Sequence, residues 1–426
     1  MSQSKRIFLN PPHQSGGEQQ WLAKVLESNY LAPVGPMLHE FEEALGRALR
    51  RGDPEGGPLN DPQDVRAEKG DGAHRGDKTI LPIALNSGTS AIHLALRLIG
   101  VQRGDVVLCQ SMTFAGSAFP INYLGAEPIF IDSSAGSFNL DPGLLEQAII
   151  DCIHEGRKPK AIIAVHLYGF SYDITRIHQI ARACDIPIIE DAAEALGSVY
   201  GGKSCGTFGD YGVLSFNGNK IITSAGGGAL LVKDPILRER ALYLAQQAKS
   251  PADHYHHREV GYNYRMPSLN AALGCAQLQT LEQRLSQKKE IHLRYQALVK
   301  SYNGIEIYSS TTLFKEVEHV NENEQAQAHE HEYQPNHWLN ILILDPKCCT
   351  LTPSEVVAAF EKADIEARRL WKPMYLQPLY SKAKAYVNGV SQQWFDSALC
   401  LPSGTAMTPE DWARIEQVFD ILFTRG

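Results

Sequence analysis

The 426-residue chain has no apolar run near the roughly 20 residues of a membrane span, because its longest apolar runs are of strand length. Its first residues also lack the apolar core of a signal peptide. The formal net charge is −8, so no excess of positive charge favours nucleic acid or an anionic membrane as a partner. We therefore expect a soluble, cytoplasmic protein, and its size is typical of an enzyme.

The eight cysteines include no CxxC pair, and most of them lie inside apolar segments. This pattern favours reduced, buried thiols over a disulfide framework or a zinc site. His329 and His331 are close in sequence, but neither a cysteine nor a helically spaced further ligand accompanies them. We therefore predict no metal site.

Two polar segments, residues 51–78 and residues 315–335, interrupt the otherwise globular pattern of the sequence. The first is rich in glycine and charge, and the second is acidic, dotted with histidine and nearly free of aliphatic residues. Neither can bury enough apolar surface to offset the entropy of ordering it. We predict that both are solvated insertions.

Between the insertions, short β-branched runs alternate with helical patterns. The predicted strands are Val106–Gln110, Pro128–Asp132, Ala161–His166, Pro187–Glu190, Val213–Phe216 and Ala229–Val232. The predicted helices are Ser90–Ile99, Gly143–His154, Ile174–Cys184 and Pro235–Gln247. Apolar strands separated by helices predict a mostly parallel sheet that helices cover on both faces.

The pattern changes after Arg265. It predicts a helix that ends near Tyr302, a strand at Trp338–Leu344, and helices at Pro353–Ala363 and Pro409–Phe423. This mixture predicts a second, smaller α+β domain.

Two strand ends carry residues that suit a charged ligand. Ser87-Gly88-Thr89 follows an apolar strand and opens an amphipathic helix, where N–H groups suit a phosphate, although Ser or Thr there is equally an ordinary N-cap. Another strand delivers Glu190 and Asp191 at its carboxyl end, where ligands bind in open α/β sheets. A buried carboxylate needs a partner, which could be a cationic ring nitrogen, a structural arginine or a helix N-terminus.

Lys220 lies between two apolar strands, beside isoleucines and shortly before the glycines 226–228. A lysine removed from water is a competent amine nucleophile for Schiff-base chemistry, although a plain turn lysine beside a glycine-rich hairpin fits the same pattern. A helix-start phosphate site, a strand-end Asp191, and Ser215 five residues before Lys220 follow one another in the chain. Pyridoxal phosphate requires this set of parts.

Eight segments in this order match one known family. They are Phe8-Leu-Asn-Pro-Pro-His, Leu31-Ala-Pro-Val-Gly-Pro, Asn86-Ser-Gly-Thr-Ser-Ala-Ile-His-Leu-Ala-Leu, Glu190-Asp-Ala-Ala-Glu-Ala-Leu-Gly, Ser215-Phe-Asn-Gly-Asn-Lys-Ile-Ile-Thr, Gly261-Tyr-Asn-Tyr-Arg-Met, Leu370-Trp-Lys-Pro-Met and Cys400-Leu-Pro-Ser-Gly. The chain thereby resembles the DegT/DnrJ/EryC1/StrS family of pyridoxal-phosphate-dependent sugar aminotransferases. Only the two insertions and the chain ends fall outside the match.

The resemblance implies the α/β fold of a fold-type-I pyridoxal-phosphate-dependent transferase, as in aspartate aminotransferase. We expect a mixed, mostly parallel seven-stranded sheet sandwiched by helices, plus a smaller α+β C-terminal domain. The implied divisions are an N-terminal segment 1–24, a large cofactor-binding domain 25–285 and a small domain 286–426. The resemblance also implies a homodimer with active sites at the interface.

The resemblance assigns a role to each part of the cofactor site. Lys220 would form the Schiff base with pyridoxal 5′-phosphate and move the proton of the reaction. Asp191 would hold the pyridinium nitrogen. Gly88, Thr89 and Ser215 would bind the phosphate.

The resemblance implies further site residues. Asn263 would complete the phosphate site from the partner subunit. Phe114 would stack on the cofactor ring, although it could also be a core residue, and Glu194 would lie near the 3′-oxygen of the ring. His166 and Tyr168 would line the site without an assigned chemical role.

The expected reaction carries an amino group from L-glutamate to a keto sugar nucleotide in polysaccharide or glycan biosynthesis, with UDP-2-acetamido-2,6-dideoxy-hexos-4-ulose the leading candidate. Some relatives dehydrate and carry His in place of the lysine, so Lys220 favours transamination. Alternatives are a 3-keto or dTDP-linked sugar, a small keto acid, a pyridoxal-phosphate-dependent lyase or dehydratase, and a regulator without turnover. His337 and Tyr375 stand where relatives carry Arg and His, which leaves the exact sugar open.

Overall fold

The computed structural model describes residues 5–50, 79–309 and 333–425. The helices in these ranges are α1 Glu18–Ser28, α2 Pro36–Leu49, α3 Gly88–Ile99, α4 Ala115–Tyr123, α5 Pro142–His154, α6 Ile174–Ala183, α7 Pro235–Ala245, α8 Ser268–Leu278, α9 Leu281–Val299, α10 Pro353–Lys362, α11 Val390–Ser397 and α12 Pro409–Leu422. The strands are β1 Leu81–Leu85, β2 Val106–Gln110, β3 Glu127–Ile131, β4 Ala161–Val165, β5 Ile188–Asp191, β6 Val199–Tyr200, β7 Lys203–Ser204, β8 Tyr211–Ser215, β9 Gly228–Val232, β10 Ile305–Ile307, β11 Tyr333–Gln334, β12 Asn340–Leu344, β13 Arg368–Arg369, β14 Ala385–Tyr386 and β15 Ala398–Leu401.

The large sheet has the strand order β1-β9-β8-β5-β4-β2-β3-β14. Strand β9 is antiparallel to both of its neighbours, β1 and β8, and every other pair in the sheet is parallel. The expected mixed, mostly parallel sheet of seven strands is confirmed. The two-residue strand β14 adds an eighth at the β3 edge, because Ala385 and Tyr386 pair with Phe130 and Ile131.

Helices cover both faces of the large sheet. On one face, α3, α4 and α7 pack on the apolar side chains of the central strands. On the other face, α2 and α8 cover the β8–β9 half, and α5 and α6 cover the β2–β4 half. Strand β4 is buried at all five positions, which explains its continuous apolar sequence.

The predicted elements agree with the observed ones within a few residues. Each of the six predicted strands corresponds to a strand of the large sheet, and the four predicted helices correspond to α3, α5, α6 and α7. The long helix predicted after Arg265 is instead two helices, α8 and α9, separated at residues 279–280.

A second sheet, in the order β10-β12-β15-β13, forms the α+β unit predicted near the carboxyl end. It is antiparallel, and α10, α12 and the second half of α9 pack on it. The first turns of α9, with Leu281 and Leu285, belong instead to the core of the large sheet. The proposed domain boundary at residue 285 therefore falls inside one continuous helix, and the division into domains stays a prediction.

The end of the second predicted insertion lies within the described residues. Residues 51–78 and 315–332, with His329 and His331, lie outside the described residues, but residues 333–335 do not. Tyr333 and Gln334 form β11, antiparallel to β6, and the Tyr333 hydroxyl donates to the Gly169 carbonyl oxygen at 3.0 Å. Pairing with a distant strand and burial of the Tyr333 ring override the polar pattern of the segment.

Across the described ranges, no helix is long and apolar enough to cross a membrane. In the same ranges, no group of three or more His, Cys, Asp and Glu side chains could hold a metal ion. All eight cysteines are free.

Candidate active site

The first turn of α3 lies directly against the large sheet. The Ser87 hydroxyl caps the helix by accepting the N–H of Ser90 at 3.0 Å, which leaves the N–H groups of Gly88 and Thr89 without an intrahelical acceptor. A Cβ atom on Gly228 of β9 would lie 2.4 Å from the Gly88 nitrogen. The close approach therefore requires glycine at position 228, and the helix start that it positions suits an anion.

The three residues predicted to bind phosphate are neighbours. Ser215 ends β8, and a Cβ atom on Gly88 would lie 3.3 Å from the Ser215 Cβ. Thr89 faces α4, because a Cβ atom on Gly116 would lie 3.0 Å from the Thr89 Oγ1. A hydroxyl at a strand end and two N–H groups at a helix start thus converge on one edge of the sheet.

Asp191 ends β5 and is 5% exposed. Its Oδ2 accepts the Ser117 hydroxyl at 2.6 Å, and its Oδ1 accepts the N–H of Ala193 at 3.1 Å. Among the described residues, no cationic side chain pairs with this carboxylate, and neither donor is a structural arginine or a helix start. The Asp191 carboxylate therefore has lone pairs left for a cationic ring nitrogen.

Glu190 and Asp191 point to opposite sides of β5, as successive strand residues do. Glu190 accepts the N–H of Gly209 at 2.6 Å, and its Oε2 lies 3.1 Å from the His166 Nε2. Burial lowers the pKa of His166, while Cys205 and Glu190 raise it, and the net pKa is about 10. His166 thus contacts Glu190 rather than the groups around Lys220.

Lys220 is only 13% exposed at its side chain and lies beside a second buried carboxylate. The Lys220 Nζ lies 3.6 Å from the Glu194 Oε1, and the Glu194 Oε2 accepts the N–H of Tyr168 at 2.7 Å. Burial raises the pKa of Glu194, and the nearby Lys220 and the Tyr168 N–H offset only part of this rise. The predicted lysine and the predicted Glu194 are therefore direct neighbours.

A row of aromatic rings extends from the start of α4 to Lys220. The Phe114 ring is 57% exposed, which excludes a core role, and its centroid lies 5.6 Å from that of Trp371. Tyr168 stacks between Trp371 and Trp338, with centroid distances of 6.2 and 6.5 Å, and its hydroxyl accepts the backbone N–H of Trp371 at 2.9 Å. Tyr168 thus contacts both neighbours of Lys220, since its backbone N–H donates to Glu194 and its ring stacks with Trp338. Its lining role stays a prediction.

Asn263 lies on the surface of the chain, beside the end of β1. Its carbonyl oxygen accepts the Asn86 Nδ2 at 3.2 Å, and its Oδ1 accepts the Gln247 Nε2 at 3.1 Å. The assignment of Asn263 to a partner's active site stays a prediction, because it concerns a second chain.

Sequence reasoning missed three residues of the site. Ser117 lies one helical turn after Phe114, so its proximity to a ligand at Phe114 could have been inferred from spacing. Trp371 lies inside a segment that matched the family, but its contact with Tyr168 has no local signal. The sequence pattern predicts only the start of a strand at Trp338, yet the centroid of its ring lies 4.3 Å from the Lys220 Nζ.

The residues present fit pyridoxal phosphate, because the α3 start suits its phosphate and Asp191 suits its cationic ring nitrogen. With a partly buried lysine on the same edge of an α/β sheet, the fold and site define a fold-type-I pyridoxal-phosphate-dependent aminotransferase. A sequence model of the DegT/DnrJ/EryC1/StrS aminotransferase family matches residues 74–420. The chain belongs to this family.

Relatives and solved structures agree with this assignment. The chain is 40% identical to EpsN of Bacillus subtilis (strain 168), which carries the name of a pyridoxal phosphate-dependent aminotransferase, over 98% of this chain and 96% of that protein. It is 30% identical to GDP-perosamine synthase of Caulobacter vibrioides, over 99% of both chains. A crystal structure of a DegT DnrJ EryC1 StrS aminotransferase from Brucella abortus matches with a TM-score of 0.76 at 25% identity, covering 95% of this chain and 94% of that one.

Proposed function

We propose that this aminotransferase transfers the amino group of L-glutamate to the keto group of a nucleotide-linked deoxy sugar. The leading acceptor is UDP-2-acetamido-2,6-dideoxy-hexos-4-ulose, and the product would serve polysaccharide or glycan synthesis. One observation carries the transamination: Lys220 is present, little exposed and 3.6 Å from the Glu194 carboxylate. The names of the relatives support a sugar as the acceptor, since perosamine is an amino sugar.

The protein's own groups would bind and orient the cofactor. The N–H groups of Gly88 and Thr89 would hold its phosphate together with the Ser215 hydroxyl. Asp191 would keep a proton on the ring nitrogen, and Ser117 holds the Asp191 carboxylate in place. Once bound, pyridoxal phosphate supplies an electron sink and carries the amino group between the two substrates.

Lys220 moves the proton. With pyridoxal phosphate bound, the Lys220 Nζ would take a proton from the α-carbon of the substrate and later return it. Glu194 lies beside this amine, and burial raises its pKa, so the carboxyl gains a proton more readily than an exposed one. The pair can therefore keep a proton within the site while Lys220 acts.

We also propose a homodimer in the cytoplasm. The exposed Asn263 side chain is available to a second active site, which is the role that the family resemblance gives it. Eight free cysteines suit a reducing compartment.

The test is mass spectrometry of the products that the purified protein makes with pyridoxal phosphate, L-glutamate and a panel of keto-sugar nucleotides. The panel contains UDP-, GDP- and dTDP-linked 4-keto and 3-keto sugars, together with small keto acids. We expect an amino-sugar nucleotide and 2-oxoglutarate, and no product from Lys220→Ala. A free amino acid as the sole product, or undiminished turnover by Lys220→Ala, would refute the proposal.

A GDP-linked 4-keto-6-deoxy sugar is the second candidate acceptor. The name of one relative supports it, since GDP-perosamine synthase of Caulobacter vibrioides matches over 99% of both chains. The same panel separates the two, since the preferred nucleotide is the one whose amino sugar forms at the highest kcat/KM.

A further inference from the structure

Lys220 lies between two groups of opposite character. On one side is the Glu194 carboxylate, 3.6 Å from the amine. On the other side is the face of the Trp338 indole, whose centroid is 4.3 Å from the same Nζ. An ammonium within about 6 Å of an indole face is attracted by the ring, most strongly where water is excluded. Trp338 is only 1% exposed, so water does not compete for its face.

The same indole also holds the backbone next to Lys220. Its Nε1 donates to the Asn219 carbonyl oxygen at 2.7 Å, and the Asn10 Nδ2 donates to that oxygen at 2.6 Å. Two donors on one carbonyl fix the peptide that immediately precedes Lys220. What remains adjustable is the lysine side chain, and the ring face limits where its amine lies.

Trp338 is itself held at its backbone and tied to Glu194. Its N–H donates to the Asn336 Oδ1 at 2.9 Å, and its carbonyl oxygen accepts the Lys288 Nζ at 2.8 Å. The Asn336 Nδ2 donates to the Glu194 carbonyl oxygen at 2.9 Å. One buried amide therefore connects the two residues that flank the Lys220 amine.

We infer that Trp338 is a positioning residue for Lys220: its indole N–H fixes the backbone before the lysine, and its ring face limits where the amine lies. The inference rests on the proposed transamination, in which the Lys220 amine must lie within reach of the substrate carbon. A lysine without this hold would spend more time in unproductive rotamers.

The variants separate the two contacts. Trp338→Phe keeps an aromatic face and loses the N–H, and Trp338→Leu loses both. Trp394→Phe is the matched control, because the Trp394 Nε1 also donates to a backbone carbonyl, that of Ser137 at 2.9 Å. Circular dichroism and thermal unfolding establish that each variant is folded, and Trp338→Phe keeps the test decisive if Trp338→Leu does not fold.

The first measurement uses the cofactor-free protein. An amine-acylating reagent is added, and peptide mass spectrometry follows the rate at which Lys220 is modified. Loss of the ring should increase this rate by about twofold to fivefold in Trp338→Leu, because the ring face then no longer confines the amine and shields it from the reagent. We expect a smaller increase in Trp338→Phe and none in Trp394→Phe. Equal rates in wild type and both Trp338 variants would overturn the inference.

The second measurement follows the half-reaction of the loaded enzyme with L-glutamate, with and without deuterium on the α-carbon. If Trp338 positions the amine, its variants should slow proton transfer and enlarge the isotope effect, while the KM for glutamate changes by less than about twofold. A merely structural role would reduce the active fraction without changing the isotope effect, and that result would overturn the inference. A wild type that does not react with glutamate would refute the proposed function instead, and the labelling rates would still report on Trp338.

Discussion

Lys288 carries a buried ammonium that the proposed chemistry does not use. It lies on α9, is 1% exposed, and its Nζ donates to the Asn10 Oδ1 at 2.7 Å and to the carbonyl oxygens of Trp338 and Ser403 at 2.8 and 2.5 Å. Burial lowers the pKa of Lys288 to about 7, but three acceptors match the three N–H groups of the charged form. The ammonium joins three segments that are remote in sequence, next to the residues that hold Lys220.

Replacing Lys288 tests this contribution. In Lys288→Met a side chain of similar length remains, but three oxygens lose their donor, so we expect the free energy of unfolding to fall by about 2–4 kcal/mol. The exposed neighbour Lys289→Met is the control, with an expected change within about 0.5 kcal/mol. Denaturant unfolding measures both, and equal stabilities of the two variants would contradict the role of Lys288.

At the residue scale, sequence reasoning predicts the cofactor residues but not what surrounds them. Asp191 and Ser215 end strands, and Lys220 lies in the loop that follows β8. Local pattern and family resemblance both identify these three residues. The contact between Trp338 and Lys220 joins distant parts of the chain, so no spacing rule reveals it. The burial of Lys288 could have been predicted from sequence, because helical spacing places it on the same face of α9 as Leu285 and Ile291, which are buried.

At the element scale, the strands of the large sheet were predictable because each is a nearly continuous apolar run. Strands β11 and β14 have two residues each and no periodicity of their own, so they depend on partners elsewhere in the chain. The break between α8 and α9 was also missed, because Gln279 and Thr280 are ordinary helix residues in sequence. The structure of these segments depends on contacts with distant parts of the chain rather than on local propensity.

The packing of α3 on β9 gives a prediction at this scale. A Cβ atom in Gly228→Ala would collide with the Gly88 nitrogen, so the helix start must shift. We expect at least about tenfold weaker binding of pyridoxal phosphate and a loss of about 1–3 kcal/mol in unfolding free energy. Gly226→Ala is the control, because a Cβ there would meet nothing within 4 Å. Titration with pyridoxal phosphate and denaturant unfolding check both variants, and intact binding by Gly228→Ala would refute the close approach.

At the scale of the whole molecule, stability depends on pH through a buried histidine. His93 lies on α3, and burial, with a smaller effect of Arg97, lowers its pKa to about 4. Its Nδ1 lies 3.0 Å from the Tyr264 hydroxyl. Because the unfolded chain takes up this proton near pH 6.5 and the folded chain only near pH 4, acid favours unfolding between these values.

We expect His93 to contribute a loss of up to about 3 kcal/mol in unfolding free energy as the pH falls from 6.5 to 4. In His93→Phe this part of the pH dependence should disappear, while the surface variant His39→Gln should keep the wild-type dependence. Denaturant unfolding over this pH range measures it. If the unfolding free energy of His93→Phe fell with pH as steeply as that of wild type, groups other than His93 would cause the pH dependence.

Strand β14 has a consequence for how the chain is made. The outer edge of β3 pairs with residues 385–386, which follow it only much later in the chain. During vectorial synthesis on the ribosome, the β2–β3 portion of the sheet therefore emerges with one row of N–H and C=O groups open to other chains. The nascent protein must keep that row from intermolecular pairing until almost the whole polypeptide has left the exit tunnel, so chaperone contact with β3 is most valuable during this interval.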